Sequence, residues 1–176
     1  MAKAGSTFFL RARLSMPADG AFTEQEIPLG AFLNPLADQA LVIHNIEVQL
    51  ADTDNPEAGP YKTGSIFNFG WNLCTSPIQT AAAFDTTYLD DNSVVASGRY
   101  NNLVGAADEY FEATTKDMMP QSWTAGYTVA SESLFLSGQS PETATAGTYE
   151  LSVVMECSQL KLGKNEAINL ALSQTN

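Results

Sequence analysis

The dominant spacing of apolar positions along the chain is two. Phe8, Leu10, Ala12, Leu14 and Met16 alternate with Phe9, Arg11, Arg13 and Ser15. Successive side chains of a strand point to opposite faces, so this run predicts a strand with one dry and one wet side. Val42, Ile46, Val48 and Leu50 predict a second strand, with His44 on the same face. The clearest core strand is Ser65–Cys74, where Phe67, Phe69, Trp71 and Leu73 point one way and Asn68, Gly70 and Asn72 the other. Residues Tyr127 to Leu136 predict a further strand. Tyr149, Leu151, Val153, Met155 and Cys157 form one face of a long strand near the end.

Turn chemistry separates these runs. Pro17-Ala-Asp-Gly20, Asp52-Thr-Asp-Asn-Pro56, Asp90-Asp-Asn-Ser93 and Ser137-Gly-Gln-Ser-Pro141 all read as loops, as does the small-residue stretch Thr143 to Thr148. Helical pattern is scarce. Residues Ala106 to Lys116 hold room for a turn or two. The tail from Asn165 is the best candidate, with Asn165 as cap, Glu166 in the first turn and Ile168, Leu170 and Leu172 as an apolar face. Because those three residues also alternate, a final strand is the competing reading there. Short strands with turn signals between them point to an all-β fold, a single jelly roll or antiparallel β-sandwich, closed by a short C-terminal helix or strand. The chain shows no internal repeat and no linker of distinct composition, so residues 1–176 read as one domain.

Composition sharpens this picture. Charged residues make up 16% of the chain, against an average of about 25%, and uncharged polar residues take their place. The net charge is −12 with only eight Lys and Arg, and none falls between Leu14 and Tyr61. Binding to a phosphate backbone needs clustered cations, so no direct nucleic-acid binding is expected. No stretch reaches the roughly 20 apolar residues of a membrane span. The run Phe8-Phe-Leu10 is cut at once by Arg11 and Arg13, which is not the pattern of a secretory signal.

Candidate chemistry is sparse. One histidine cannot build a two-histidine metal site, and the sequence carries no Gly-x-Ser-x-Gly elbow, phosphate-binding loop, dinucleotide fingerprint or Cys-x-x-Cys pair. His44 is expected to be a hydrogen-bonded structural residue, and no catalytic residue is assigned. Cys74 and Cys157 are expected as buried thiols, with a disulfide between them left open. The one metal expectation is calcium, at contacts between copies. It rests on Asp52 and Asp54 in one loop and Asp90 in another, because hard oxygen ligands on short loops are what calcium prefers. No cofactor is expected otherwise.

The segment Leu134-Phe-Leu136, a loop, then Thr148 to Leu162 with Glu156-Cys-Ser-Gln-Leu-Lys-Leu162 and a short apolar tail resembles small single jelly-roll capsid proteins. So does Phe8-Phe-Leu-Arg-Ala-Arg-Leu14, which feeds at once into strand pattern. Proteins of this kind come from icosahedral viruses of bacteria and archaea, including ones with an internal membrane. The resemblance is one of strand layout over most of the chain. It implies a non-enzymatic shell subunit of the virion, assembled in the host cytoplasm. Its implied partners are copies of itself, other capsid proteins and an internal membrane. The alternative is a small jelly-roll module that binds carbohydrate or another ligand, with Trp123 beside the acidic loops as the position to inspect. A filament or surface-layer subunit is a third reading.

Overall fold

The computed structural model describes residues 6–33, 39–57, 59–104, 110–111, 121–144 and 147–174. Its strands are β1 (Phe8–Met16), β2 (Thr23–Pro28), β3 (Gln39–Asp52), β4 (Ser65–Cys74), β5 (Val94–Val104), β6 (Tyr110–Phe111), β7 (Gln121–Val129), β8 (Ser133–Gln139) and β9 (Tyr149–Lys161). Two helices join them, α1 (Ala81–Phe84) and α2 (Lys164–Ser173).

The topology follows from one rule of pairing. The first strand pairs with the last, β1 with β9; then β2 pairs with β8, β3 with β7 and β4 with β5, all antiparallel. The chain is therefore a long two-ply ribbon bent between β4 and β5. Winding that ribbon brings β3 onto β9 and β4 onto β8. The result is a four-stranded sheet ordered β1-β9-β3-β7 facing a five-stranded sheet ordered β2-β8-β4-β5-β6. Apart from the β4–β5 hairpin and the small strand β6, every connection crosses from one sheet to the other. This is the double Greek-key winding of a jelly roll.

The alternation in the sequence decides what lies between the sheets. Leu10, Leu14 and Met16 from β1, Phe67, Phe69, Trp71 and Leu73 from β4, and Tyr149, Leu151, Val153, Met155 and Cys157 from β9 are all at most 4% exposed. Rings stitch the two sheets together: Tyr149 meets Phe67 at 5.5 Å and 89° and Phe69 at 5.7 Å and 90°. Edge-to-face geometry of this kind stabilises beyond simple area burial.

Several expectations are corrected. In β3 the register slips between Ile43 and Asn45 against both neighbours. The extra residue reverses the phase: Leu41 and Ile43 join the core before the bulge, Ile46 and Leu50 after it. Val42 and His44 therefore sit on the outer face, not with Ile46. The expected strand from Tyr127 to Leu136 is two strands in different sheets, β7 and β8, parted by a bend at Ser131 and Glu132. The loop expected from Ser137 begins later, because β8 runs to Gln139. The tail is a helix that starts just ahead of the expected cap at Asn165. Its first residue is Lys164, and the Glu166 carboxylate reaches back 3.0 Å to the Gly163 amide. Its apolar face is not docked, since Ile168 is 49% and Leu172 60% exposed. Of the helical stretch expected at Ala106 to Lys116, only Tyr110 and Phe111 are described, as β6; the rest lies outside the described residues.

The turns at Pro17–Gly20, Asp52–Pro56 and Asp90–Ser93 form as expected. Gly20 donates to the Pro17 carbonyl at 3.0 Å with φ +70, a conformation that favours glycine. Asp52 accepts from the Asp54 and Asn55 amides at 2.8 and 3.3 Å. Asp91 accepts from the Ser93 amide and hydroxyl at 2.8 and 2.6 Å.

Candidate functional site

The outer face of the five-stranded sheet is crossed by the β4–β5 connection, and a cleft opens between them. Its floor is set by the β4–β5 register, in which Gly70 lies opposite Arg99 and Asn72 opposite Ser97. All four alternate with the core residues of their strands and so face outward. Its roof is α1 with the residues after it. The Thr80 hydroxyl caps α1 by accepting from the Ala83 amide at 3.2 Å. Phe84 then lies on Gly70, where a Cβ would come within 3.4 Å of its ring. Phe22 braces Phe84 from behind at 5.7 Å.

Glu24, on the edge strand β2, anchors the start of this roof. Its carboxylate accepts from the Ile78 amide at 2.7 Å and the Gln79 amide at 3.3 Å. Gln79 has φ +68, a strained conformation for a residue with a side chain. The cleft encloses about 440 Å³ and is completed by Asp85, Thr87, Tyr88 and Leu89, within the usual range for small-ligand sites of roughly 300–1,000 Å³. Its lining offers one amide, three hydroxyls, one carboxylate and one guanidinium beside three aromatic residues. The acid and the base offset each other, so the chemistry on offer is hydrogen bonding and stacking.

The metal candidates fall elsewhere. Asp52 ends β3 and is only 3% exposed, with one oxygen engaged by its own turn. Asp54 is exposed in that turn, and Asp90 is exposed ahead of β5. Among the described residues no three of His, Cys, Asp and Glu are grouped to hold a metal ion, so Asp52, Asp54 and Asp90 do not form one centre within the chain.

His44 is half-buried, with Nε2 2.8 Å from the Ser158 hydroxyl, the structural role expected of it. Both cysteines are buried and free. Burial pushes each thiol up to about 12, with the Asp91 and Glu24 charges adding to the effect at Cys74. Trp123 is half-buried against the core and tilted at 5.7 Å to Tyr127. It is therefore a packing residue of β7.

The sequence reading missed the cleft. Outward placement of Gly70 and Asn72 was legible from β4, but their facing residues Ser97 and Arg99 belong to a strand that the pattern did not reveal. The roof residues sit in a connection whose path depends on Glu24.

No family model matches this sequence, and no curated protein does. Among solved structures, the chain is similar to Merkel cell polyomavirus VP1 in complex with 3'-sialyllactosamine, with 8% identity and a TM-score of 0.49 over 92% of this chain and 99% of that one. The unassembled KI polyomavirus VP1 pentamer matches with 8% identity and a TM-score of 0.49 over 93% and 100% of the two chains. Trichodysplasia spinulosa-associated polyomavirus VP1 in complex with GM1 oligosaccharide gives 7% identity and a TM-score of 0.48 over 92% and 99%.

Proposed function

We propose that this chain is a structural subunit that assembles with copies of itself into a viral shell. The observation that carries the reading is apolar surface left in water by a domain whose core is already full. Ile168 and Leu172, one turn apart on α2, are 49% and 60% exposed; Tyr88 and Leu89 are 62% and 67%; Phe9 is 55%. Side chains of this kind, grouped in pairs, mark surfaces that a partner covers. The jelly-roll fold is one that shells use, though fold alone does not set function.

The finer setting belongs to the same proposal and follows from the resemblance in strand layout: a virion of a bacterial or archaeal virus, with other shell proteins and an internal membrane as neighbours. Calcium held between copies by the exposed Asp54 and Asp90 is also part of it. Light scattering after size exclusion, with negative-stain microscopy across salt, calcium and chelator, tests the reading. Rings, sheets or shells support it, and a monomer under every condition overturns it.

The cleft favours a second reading, a module that binds carbohydrate or a similar polar ligand. Its hydroxyls, amide and rings suit the alternating polar and apolar faces of a sugar. Calorimetry with glycans that bind on an array, repeated with Arg99→Ala, tests it; binding unaltered by the substitution counts against the cleft.

A further inference from the structure

The four-stranded sheet has β1 and β7 as its edges, and the five-stranded sheet has β2 and β6. Open edges invite pairing with another chain, and proteins usually blunt them. β6 is only two residues long. β7 is interrupted by the register shift against β3, and its Gln121 side chain crosses to the Ser97 carbonyl at 2.9 Å. β1 is different. Its nine residues hold an unbroken register with β9, contain neither Pro nor Gly, and meet no second strand among the described residues.

Charge distinguishes the two long edges. β1 carries exposed Arg11 and Arg13 on its outer face, with the Arg11 guanidinium 5.7 Å from the ring of the exposed Phe9. Arg beside an aromatic ring is the composition of an interface anchor. β2 carries Glu24 and Glu26, at the same spacing of two, on the side opposite the buried Ile27. Pairing β1 with another β1 sets Arg against Arg, and pairing β2 with another β2 sets Glu against Glu. Both are disfavoured, while β1 against β2 sets opposite charges across one ladder.

We propose that the β1 edge of one copy pairs with the β2 edge of a second copy. This deepens the self-assembly reading and rests on it. The two edges pack together on one side of the sandwich and are joined by the turn at residues 17–22, so they run in opposite directions. A two-fold axis along the strands then lays β1 antiparallel to β2 of the second copy, and its β1 antiparallel to β2 of the first. Each four-stranded sheet continues into a five-stranded one, with the Arg and Glu side chains on a shared outer face. The contact is isologous. Pro28 has no N–H to donate, so the ladder stops short of it.

The test is charge exchange, read by sedimentation velocity at low salt, with circular dichroism confirming the fold of each variant. Arg11→Glu with Arg13→Glu makes both edges acidic, and Glu26→Arg leaves β1 basic while cancelling the net negative charge of β2. Glu26 is chosen over Glu24 because Glu24 also anchors the cleft roof. Each variant alone is expected to associate about tenfold or more weakly than the unaltered chain, and an equimolar mixture of the two to regain association. If the unaltered chain associates and both variants do so equally well, this edge pairing is overturned while self-assembly stands. If the mixture recovers nothing, charge complementarity between these edges is likewise overturned. If the unaltered chain stays monomeric under every condition, both readings fall.

Discussion

The Tyr149 ring stands edge-on to Phe69 at 5.7 Å and 90°, and this contact joins the two sheets where β9 begins. Tyr149 comes from β9 in one sheet and Phe69 from β4 in the other, and both are at most 1% exposed. Tyr149→Ala removes the ring contacts to Phe67 and Phe69 together and leaves a cavity that neighbouring strands cannot collapse into. A loss of about 3–5 kcal/mol is expected, measured by urea denaturation. A loss under about 1 kcal/mol would show that the sheets are held together elsewhere.

Two glycines mark close approaches of backbone and core or sheet side chains. Gly126 has φ +77, and a Cβ there would collide with the Val42 side chain. At Gly138 a Cβ would come within 2.7 Å of the Phe69 ring. Alanine at either position is expected to cost about 1–3 kcal/mol. Thermal unfolding of the two variants checks this, and Gly147→Ala serves as a contrast: its φ is +107 but nothing lies within 4 Å of its Cβ, so it carries backbone strain without a clash.

Gln174 fastens the end of helix α2 to the sandwich. The Gln174 amide donates to the Thr128 carbonyl at 2.6 Å and accepts from the Ala130 amide at 3.0 Å, while its backbone carbonyl accepts from the Thr75 hydroxyl at 2.6 Å. Gln174→Ala keeps the last of these and leaves two backbone groups at the end of β7 unsatisfied. About 1–3 kcal/mol of local stability is expected to go. Hydrogen exchange at the α2 amides should then quicken while the β4 and β9 amides stay protected.

The two thiols give a pH expectation with a definite sign. In the unfolded chain they titrate near 9.0, and in the folded chain burial holds them up to about 12. Between those values the unfolded chain loses protons that the folded chain keeps. The thiols' contribution to stability is therefore full below about pH 9 and is lost as pH rises toward 12, by roughly 1 to 1.5 kcal/mol per pH unit for each thiol. The buried Tyr149 hydroxyl, also raised by burial, acts in the same direction. Urea titrations from pH 7 to 11 should show the fall, and a chain with both cysteines replaced by alanine should show a shallower one. Neither thiol is expected to react with a disulfide reagent at pH 8 until the chain is unfolded.

How much of this the sequence displayed depended on burial. β1, β4 and β9 could be read residue by residue because each has one face in the core and one outside it, so polarity follows the pleat. β2 was invisible: Thr-Glu-Gln-Glu-Ile-Pro is an edge strand with one fully buried side chain, and an exposed edge imposes little pattern. The β3 bulge was equally hidden, because a single extra residue between Ile43 and Asn45 lets apolar residues appear on both phases. The break between β7 and β8 carried no Gly or Pro to announce it. The cleft was out of reach for a different cause, since it is made by register between β4 and β5 and by one carboxylate holding a distant loop.

The pairing of β1 with β9 has a consequence for synthesis. β1 is made well over a hundred residues before β9, its partner in the sheet, and β3 also leans on β9. Contacts this distant in sequence form slowly, because the loop between them must close before any gain is realised. Chains that have not yet reached Tyr149 therefore leave β1 and β3 without their shared partner. A chain truncated before β9 cannot close its first sheet, so the winding itself makes folding all-or-none with respect to the last strand.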